Sequence, residues 1–175
     1  MSRILVMLGD SLTEGNAWGK AFPAFKVINL GLGGDTCAGV WCRLGEVEEH
    51  KPDLIFLTIG TNDFLRGASG GEIVEGHLRI WDELAERLPR AGLNICSIPP
   101  YMEEALPGLP PNLEIMDINR FLAGEAAARS LNFIDIFSLL ADPDRQLPPE
   151  YTTDGLHLAS AAYRIWEDKI RPFLD

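Results

Sequence analysis

The 175-residue chain has no apolar run approaching the roughly 20 residues that a membrane-spanning helix needs. Its first apolar segment, Ile4-Leu5-Val6-Met7-Leu8, runs straight into Gly9-Asp10-Ser11. A secretory signal would carry a longer apolar stretch and a small-residue cleavage site. Stable membrane insertion is therefore not expected, and a cytoplasmic location is. Positive charge is also scarce, with 15 Lys and Arg against 26 Asp and Glu for a formal net charge of −11. A nucleic-acid partner would call for a basic face, and an anionic membrane surface would too. Cysteine is limited to Cys37, Cys42 and Cys96. An odd number of thiols without a secretion signal fits the reduced state. Neither Cys37 nor Cys42 has a nearby His or second Cys pair to complete a zinc site, so all three read as small buried hydrophobes and no metal is expected. No linker, repeat or low-complexity segment divides the chain, and residues 1–175 are expected to form one domain.

What is present is an alternation of short apolar runs with helical patterns. Strands are expected at Ile4–Leu8, Val27–Leu30, Leu54–Ile59, Asn94–Ile98 and Leu131–Asp135. Helical stretches fall near Ala17–Phe22, from Asp35 or Thr36 to about Glu49, up to about Leu88 after a Gly67–Gly71 join, from a capping Asn112 to about Ser130, and at Ser160–Phe173. Thr13–Asn16, Pro99–Pro111 and Leu140–Tyr151 read as loops. Strands separated by helices predict a parallel sheet covered on both faces: a three-layer α/β/α sandwich of flavodoxin-like type with strand order 2-1-3-4-5. In that topology the loops after the first three strands lie side by side at the carboxyl edge of the sheet, where open α/β sheets bind ligands.

Those loops hold Ser11, Gly34 and Asn62. Ser11 follows the first strand in a Gly-Asp-Ser turn, and a serine hydroxyl is a weak nucleophile without a base. His157 offers an imidazole near the other end of the chain, and histidine changes charge near neutrality. Asp154 stands three residues before it, a spacing that one tight turn closes. Acyl transfer needs a nucleophile, a base, a group to orient the base, and donors for the oxyanion. Ser11, His157 and Asp154 supply the first three. The backbone N–H groups of Ser11 and Gly34 and the side-chain amide of Asn62 are candidates for the fourth.

These residues fall in four blocks: Gly9-Asp10-Ser11-Leu12-Thr13-Glu14-Gly15, Gly33-Gly34-Asp35-Thr36, Gly60-Thr61-Asn62-Asp63 and Asp154-Gly155-Leu156-His157-Leu158. Together and in this order they resemble the GDSL or SGNH hydrolase superfamily of esterases and lipases, whose second name lists Ser, Gly, Asn and His. The resemblance spans nearly the whole chain. It implies the flavodoxin-like fold, independence from any cofactor, and the oxyanion glycine at Gly34. Gly33 stands where many relatives carry serine or another small residue. The Gly-x-Ser-x-Gly elbow of the α/β-hydrolases is absent.

The expected activity is that of a serine esterase acting on a small-molecule ester with small or medium acyl groups. Thioesters, lysophospholipids and acetylated sugars stay open as substrates, as does acyl transfer to another alcohol. A non-catalytic ligand-binding module is the rival from another class, although binding alone needs no ordered nucleophile, base and acid. Trp18, Phe64, Leu65, Tyr101 and Met102 fall on rim loops and either line the substrate pocket or pack the loops themselves. Asp10 and Asp63 read as turn braces, and His77 as a packed core residue.

Overall fold

Leu5 and Met7 point to one side of β1 (Ile4–Gly9) and Val6 and Leu8 to the other, and all four are buried. A central strand of a parallel sheet is covered on both faces, which is why its sequence is continuously apolar. The structure is a computed structural model and describes residues 2–174. With β2 (Lys26–Gly31), β3 (Leu54–Thr58), β4 (Gly92–Cys96) and β5 (Asn132–Ile134), β1 forms a five-stranded parallel sheet in the order β2-β1-β3-β4-β5. This is the expected order. The register sets Gly9 opposite both Gly31 and Thr58, so the loops leaving β1, β2 and β3 start at one level.

One face of the sheet packs against α3 (Cys37–Cys42), α4 (Leu44–His50), α6 (Gly70–Arg87) and α7 (Asn112–Ala128). The other face packs against α2 (Trp18–Ala21), α8 (Phe137–Leu140) and α9 (Ser160–Ile170). Trp18, Phe22, Tyr163 and Trp166 form an aromatic cluster there. Trp18 is 1% exposed and donates from Nε1 to the Thr13 carbonyl at 2.7 Å. Two further short helices, α1 (Ser11–Glu14) and α5 (Thr61–Leu65), begin directly after β1 and β3.

Several local expectations are corrected. Thr13–Glu14 belong to α1 rather than to a loop, because Asp10 Oδ1 accepts from the Leu12 N–H and caps a turn. The helix expected through Glu49 is broken at Arg43, which has non-helical backbone angles (φ −111°, ψ 18°). Asn112 does not cap α7. Its amide instead brackets Tyr101, accepting from that residue's N–H and donating to its carbonyl. α6 starts at Gly70, inside the supposed flexible join, because Ser69 and Glu72 make a reciprocal capping box.

Two buried titratable side chains sit close to the carboxyl edge. His77 on α6 is fully buried, and its Nε2 lies 3.0 Å from the Ile59 carbonyl at the end of β3. A carbonyl only accepts, so Nε2 carries the proton of a neutral ring. Burial pulls the His77 pKa down to about 4 against the opposing pull of that carbonyl. Asp10, 1% exposed, has one oxygen capping α1 and the other without a hydrogen-bond partner among the described residues. Burial raises its carboxyl to about 7, opposed by the Leu12 N–H, reinforced by Asp35 and Asp63, and moderated by His157.

These two groups act on stability with opposite signs. From about pH 4 to 6.5 the unfolded chain protonates at His77 while the folded chain does not, so this residue makes stability rise with pH. From 3.8 to about 7 the folded chain holds the Asp10 proton more tightly, so that residue makes stability fall with pH. Relative to the wild type, Asp10→Asn is expected to gain a positive slope of unfolding free energy against pH between 4.5 and 6.5, approaching about 1.4 kcal/mol per pH unit. His77→Gln is expected to gain a negative slope. Urea unfolding at several pH values measures both, and parallel curves for all three proteins would contradict the assignment.

Candidate active site

The turn that carries Ser11 is built by β1 and α1. The strand carries the chain to the sheet edge, and the Asp10 cap forces it into a helix whose first residue is Ser11. The turn that faces it is built by Thr152 to Leu158. Thr152 Oγ1 accepts from the Gly155 N–H at 2.8 Å and donates to the His157 carbonyl at 2.9 Å. Gly155 has φ +92°, and a Cβ there would lie 2.4 Å from the Ala105 Cβ, so this turn requires glycine on both conformational and steric grounds. The result brings the two ends of the chain together. His157 Nε2 lies 3.1 Å from Ser11 Oγ, and His157 Nδ1 lies 2.7 Å from Asp154 Oδ2.

Asp154 divides its oxygens between two tasks. Oδ1 accepts from the N–H groups of Leu156 and His157 at 3.0 and 2.8 Å and shapes the turn, while Oδ2 faces the imidazole. The hydrogen bond from His157, with those two backbone donors, holds its carboxyl at about 2 although the side chain is half exposed. An ionised carboxylate only accepts, so Nδ1 carries the ring proton and Nε2 is left to accept from the serine hydroxyl. The imidazole is 47% exposed, so the line of groups opens directly to solvent.

The oxyanion candidates also converge on this rim. Gly34 adopts φ +75° in a turn closed by the Asp35 N–H to the Leu32 carbonyl, and its own carbonyl accepts from Arg66 Nη2 at 2.8 Å. Among the described residues, the backbone N–H groups of Ser11 and Gly34 have no protein acceptor. Asn62 sits in the first turn of α5 and donates one amide hydrogen to the Asp35 carbonyl at 2.9 Å. Among the described residues its other amide hydrogen has no protein acceptor. Asp63 is a brace, as expected: both its oxygens accept from the Cys37 N–H, at 3.2 and 3.0 Å, and burial raises its pKa.

Other expectations change. Trp18, Phe64 and Tyr101 do not line a pocket. They are 1%, 4% and 2% exposed and belong to the hydrophobic core: Trp18 and Phe64 sit on short helices, and Tyr101 on a loop held by the Asn112 amide. Leu65 and Met102 remain partly exposed. Cys42 is exposed rather than buried. Burial pushes the thiols of Cys37 and Cys96 up, the latter to about 11, which leaves them inert beside the serine. Among the described residues no group of three or more His, Cys, Asp or Glu is arranged to hold a metal ion. Two participants in the rim network had no sequence signal pointing to them, Arg43 and Arg66. Both reach backbone carbonyls of loops distant in sequence.

The chain is similar to several known proteins. The bovine (Bos taurus) platelet-activating factor acetylhydrolase IB subunit alpha1 is 27% identical over 166 residues, covering 91% of this chain and 69% of that protein. A solved structure from Streptococcus pneumonia, provisionally described as a platelet activating factor, is 27% identical with a TM-score of 0.89 and covers 100% of this chain and 85% of that one. The lipase/acylhydrolase from Enterococcus faecalis shares the fold, with a TM-score of 0.84 at 23% identity and coverage of 98% and 95%. The model of the GDSL-like Lipase/Acylhydrolase family matches residues 7–165, a span that takes in Ser11, Gly34, Asn62, Asp154 and His157. The chain belongs to the GDSL-like lipase/acylhydrolase family.

Proposed function

We propose that the protein is a serine esterase that hydrolyses small or medium acyl esters through an acyl-enzyme. The observation that carries this reading is the continuous line Ser11 Oγ, His157 Nε2, His157 Nδ1, Asp154 Oδ2, with contacts of 3.1 and 2.7 Å. Ser11 Oγ attacks the ester carbonyl as Nε2 takes its proton, and Asp154 stabilises the imidazolium that forms. The carbonyl oxygen becomes an oxyanion and accepts from the N–H groups of Ser11 and Gly34 and from the free amide hydrogen of Asn62. Collapse of the intermediate passes the histidine proton to the leaving alcohol. Water, deprotonated by the same nitrogen, then releases the acid and restores the serine. The acetylhydrolase relatives support a short acyl group. Leu65 and Met102 are the remaining pocket candidates.

The binding-module reading predicts no turnover and no covalent adduct. A series of aryl esters of increasing acyl length, with Ser11→Ala as the blank, tests the activity. Ser11→Ala is expected to abolish hydrolysis while folding normally, and a fluorophosphonate is expected to label Ser11. A label on another serine with Ser11 unmodified would overturn the assignment.

Asn62→Ala is expected to lower kcat by about 10²–10³ with little change in KM. Steady-state kinetics on the shortest good substrate measures it, and an unchanged kcat would remove Asn62 from the oxyanion role.

Asp154→Asn is expected to keep its fold, because an amide oxygen can still accept from the Leu156 and His157 N–H groups. Its amide nitrogen would face Nδ1 and favour the wrong tautomer, at a cost of about 10⁴ in kcat. A folded variant with near-wild-type turnover would reduce the site to a Ser11–His157 pair.

A further inference from the structure

We propose that Arg43 is a positioning residue for this site: through Asp35 it fixes the amide of Asn62 that receives the oxyanion. The inference rests on the oxyanion role proposed for Asn62.

The side chain of Arg43 is only 12% exposed and lies beneath the rim loops. Its Nε donates to Asp35 Oδ2 at 2.7 Å, and its Nη2 donates to the carbonyls of Gly9 at 3.0 Å and Leu30 at 2.9 Å. Gly9 closes β1 immediately before Asp10 and Ser11, and Leu30 lies near the end of β2, ahead of the Gly33-Gly34 turn. One guanidinium thus joins the end of β1 to both the end of β2 and the turn that follows it. A buried cation is costly unless its donors are satisfied, and here the partners are a carboxylate and two strand-end carbonyls. Glu46, 3.8 Å from Nη1, is the other acid facing it.

The connection continues from Asp35 to Asn62. Asp35 Oδ1 accepts from the Thr36 N–H at 2.9 Å, so both oxygens of the carboxylate are engaged and the residue cannot rotate freely. Its main-chain carbonyl accepts from Asn62 Nδ2 at 2.9 Å. A planar amide with one hydrogen fixed has its second hydrogen aimed in a fixed direction. The direction of the oxyanion donor is therefore set by Asp35, and the place of Asp35 by Arg43. Gly39 belongs to the same arrangement, because a Cβ there would lie 1.7 Å from Asp35 Oδ1 and displace the carboxylate. The break between α3 and α4 at Arg43 fits this role, since it releases the residue from the helical path.

The test is a double-mutant cycle on the full chain with a short aryl ester as substrate. Arg43→Met is expected to lower kcat by about 10- to 100-fold, the scale of a misplaced catalytic group, with KM within about twofold of wild type. In an Asn62→Ala background the same substitution is expected to cost only a few-fold, because the group it orients is gone. A residue that merely supports the fold would lower kcat by the same factor in both backgrounds. That result, or a folded Arg43→Met with wild-type kcat, would overturn the proposal. If Arg43→Met fails to fold, Gly39→Ala and Asp35→Asn carry the same cycle, since both disturb the relay and leave Arg43 in place. An Asn62→Ala variant with full kcat would overturn the oxyanion reading and this proposal together, whereas an impaired Asn62→Ala with additive effects would overturn this proposal alone.

Discussion

The placement of β1 between β2 and β3 is the constraint on which the rest of the structure depends. Parallel pairing on both sides brings Gly9, Gly31 and Thr58 to one level, and each strand releases its loop toward the same rim. Ser11, Gly34 and Asn62 come from those three loops. A shift of register by two residues along any of the three strands would move its loop by roughly 6–7 Å and dissolve the site. The continuous apolar character of β1 and β3 makes such a shift expensive, because both faces of the strands are buried.

Within that frame the rim is held by aspartates, two of which do two things. Asp154 shapes its turn with one oxygen and faces the imidazole with the other. Asp35 joins the Thr36 N–H to Arg43, while its carbonyl holds Asn62. Asp63 ties α5 to the start of α3. A chain with 26 acidic residues thus devotes several of them to bracing loops. In the proposed reaction the braces matter because donors aimed at an oxyanion act only when fixed in advance.

Buried ionisable groups lie just under the same edge. Asp10 holds the first turn of the helix that carries Ser11, and His77 reaches the carbonyl that precedes Gly60. Burial keeps His77 neutral and raises the Asp10 carboxyl to about 7, and their opposite contributions to the pH dependence of stability offset each other across mildly acidic pH.

The sequence by itself determined the sheet, its order and the identity of the four blocks. Strand assignment followed from short apolar runs, and the alternation with helices left few topologies to choose from. It also made a contact between Asp154 and His157 an expectation, because three residues with a glycine between them can close one turn locally, while leaving open that Asp154 only caps the turn. Helix boundaries were less legible: α1 and α5 arise from caps and turns only four or five residues long, too short for a periodic signal. Tertiary structure decided the rest. Burial of Trp18 and Phe64 depends on where short helices land on the sheet, and that of Tyr101 on a loop held by Asn112, so nothing in the local pattern distinguishes a rim aromatic from a core one. The contacts of Arg43 with Gly9, Leu30 and Asp35 span separations of 34, 13 and 8 residues. A long flexible cation can reach many acceptors, and only the packed loops decide which carbonyls lie within its reach.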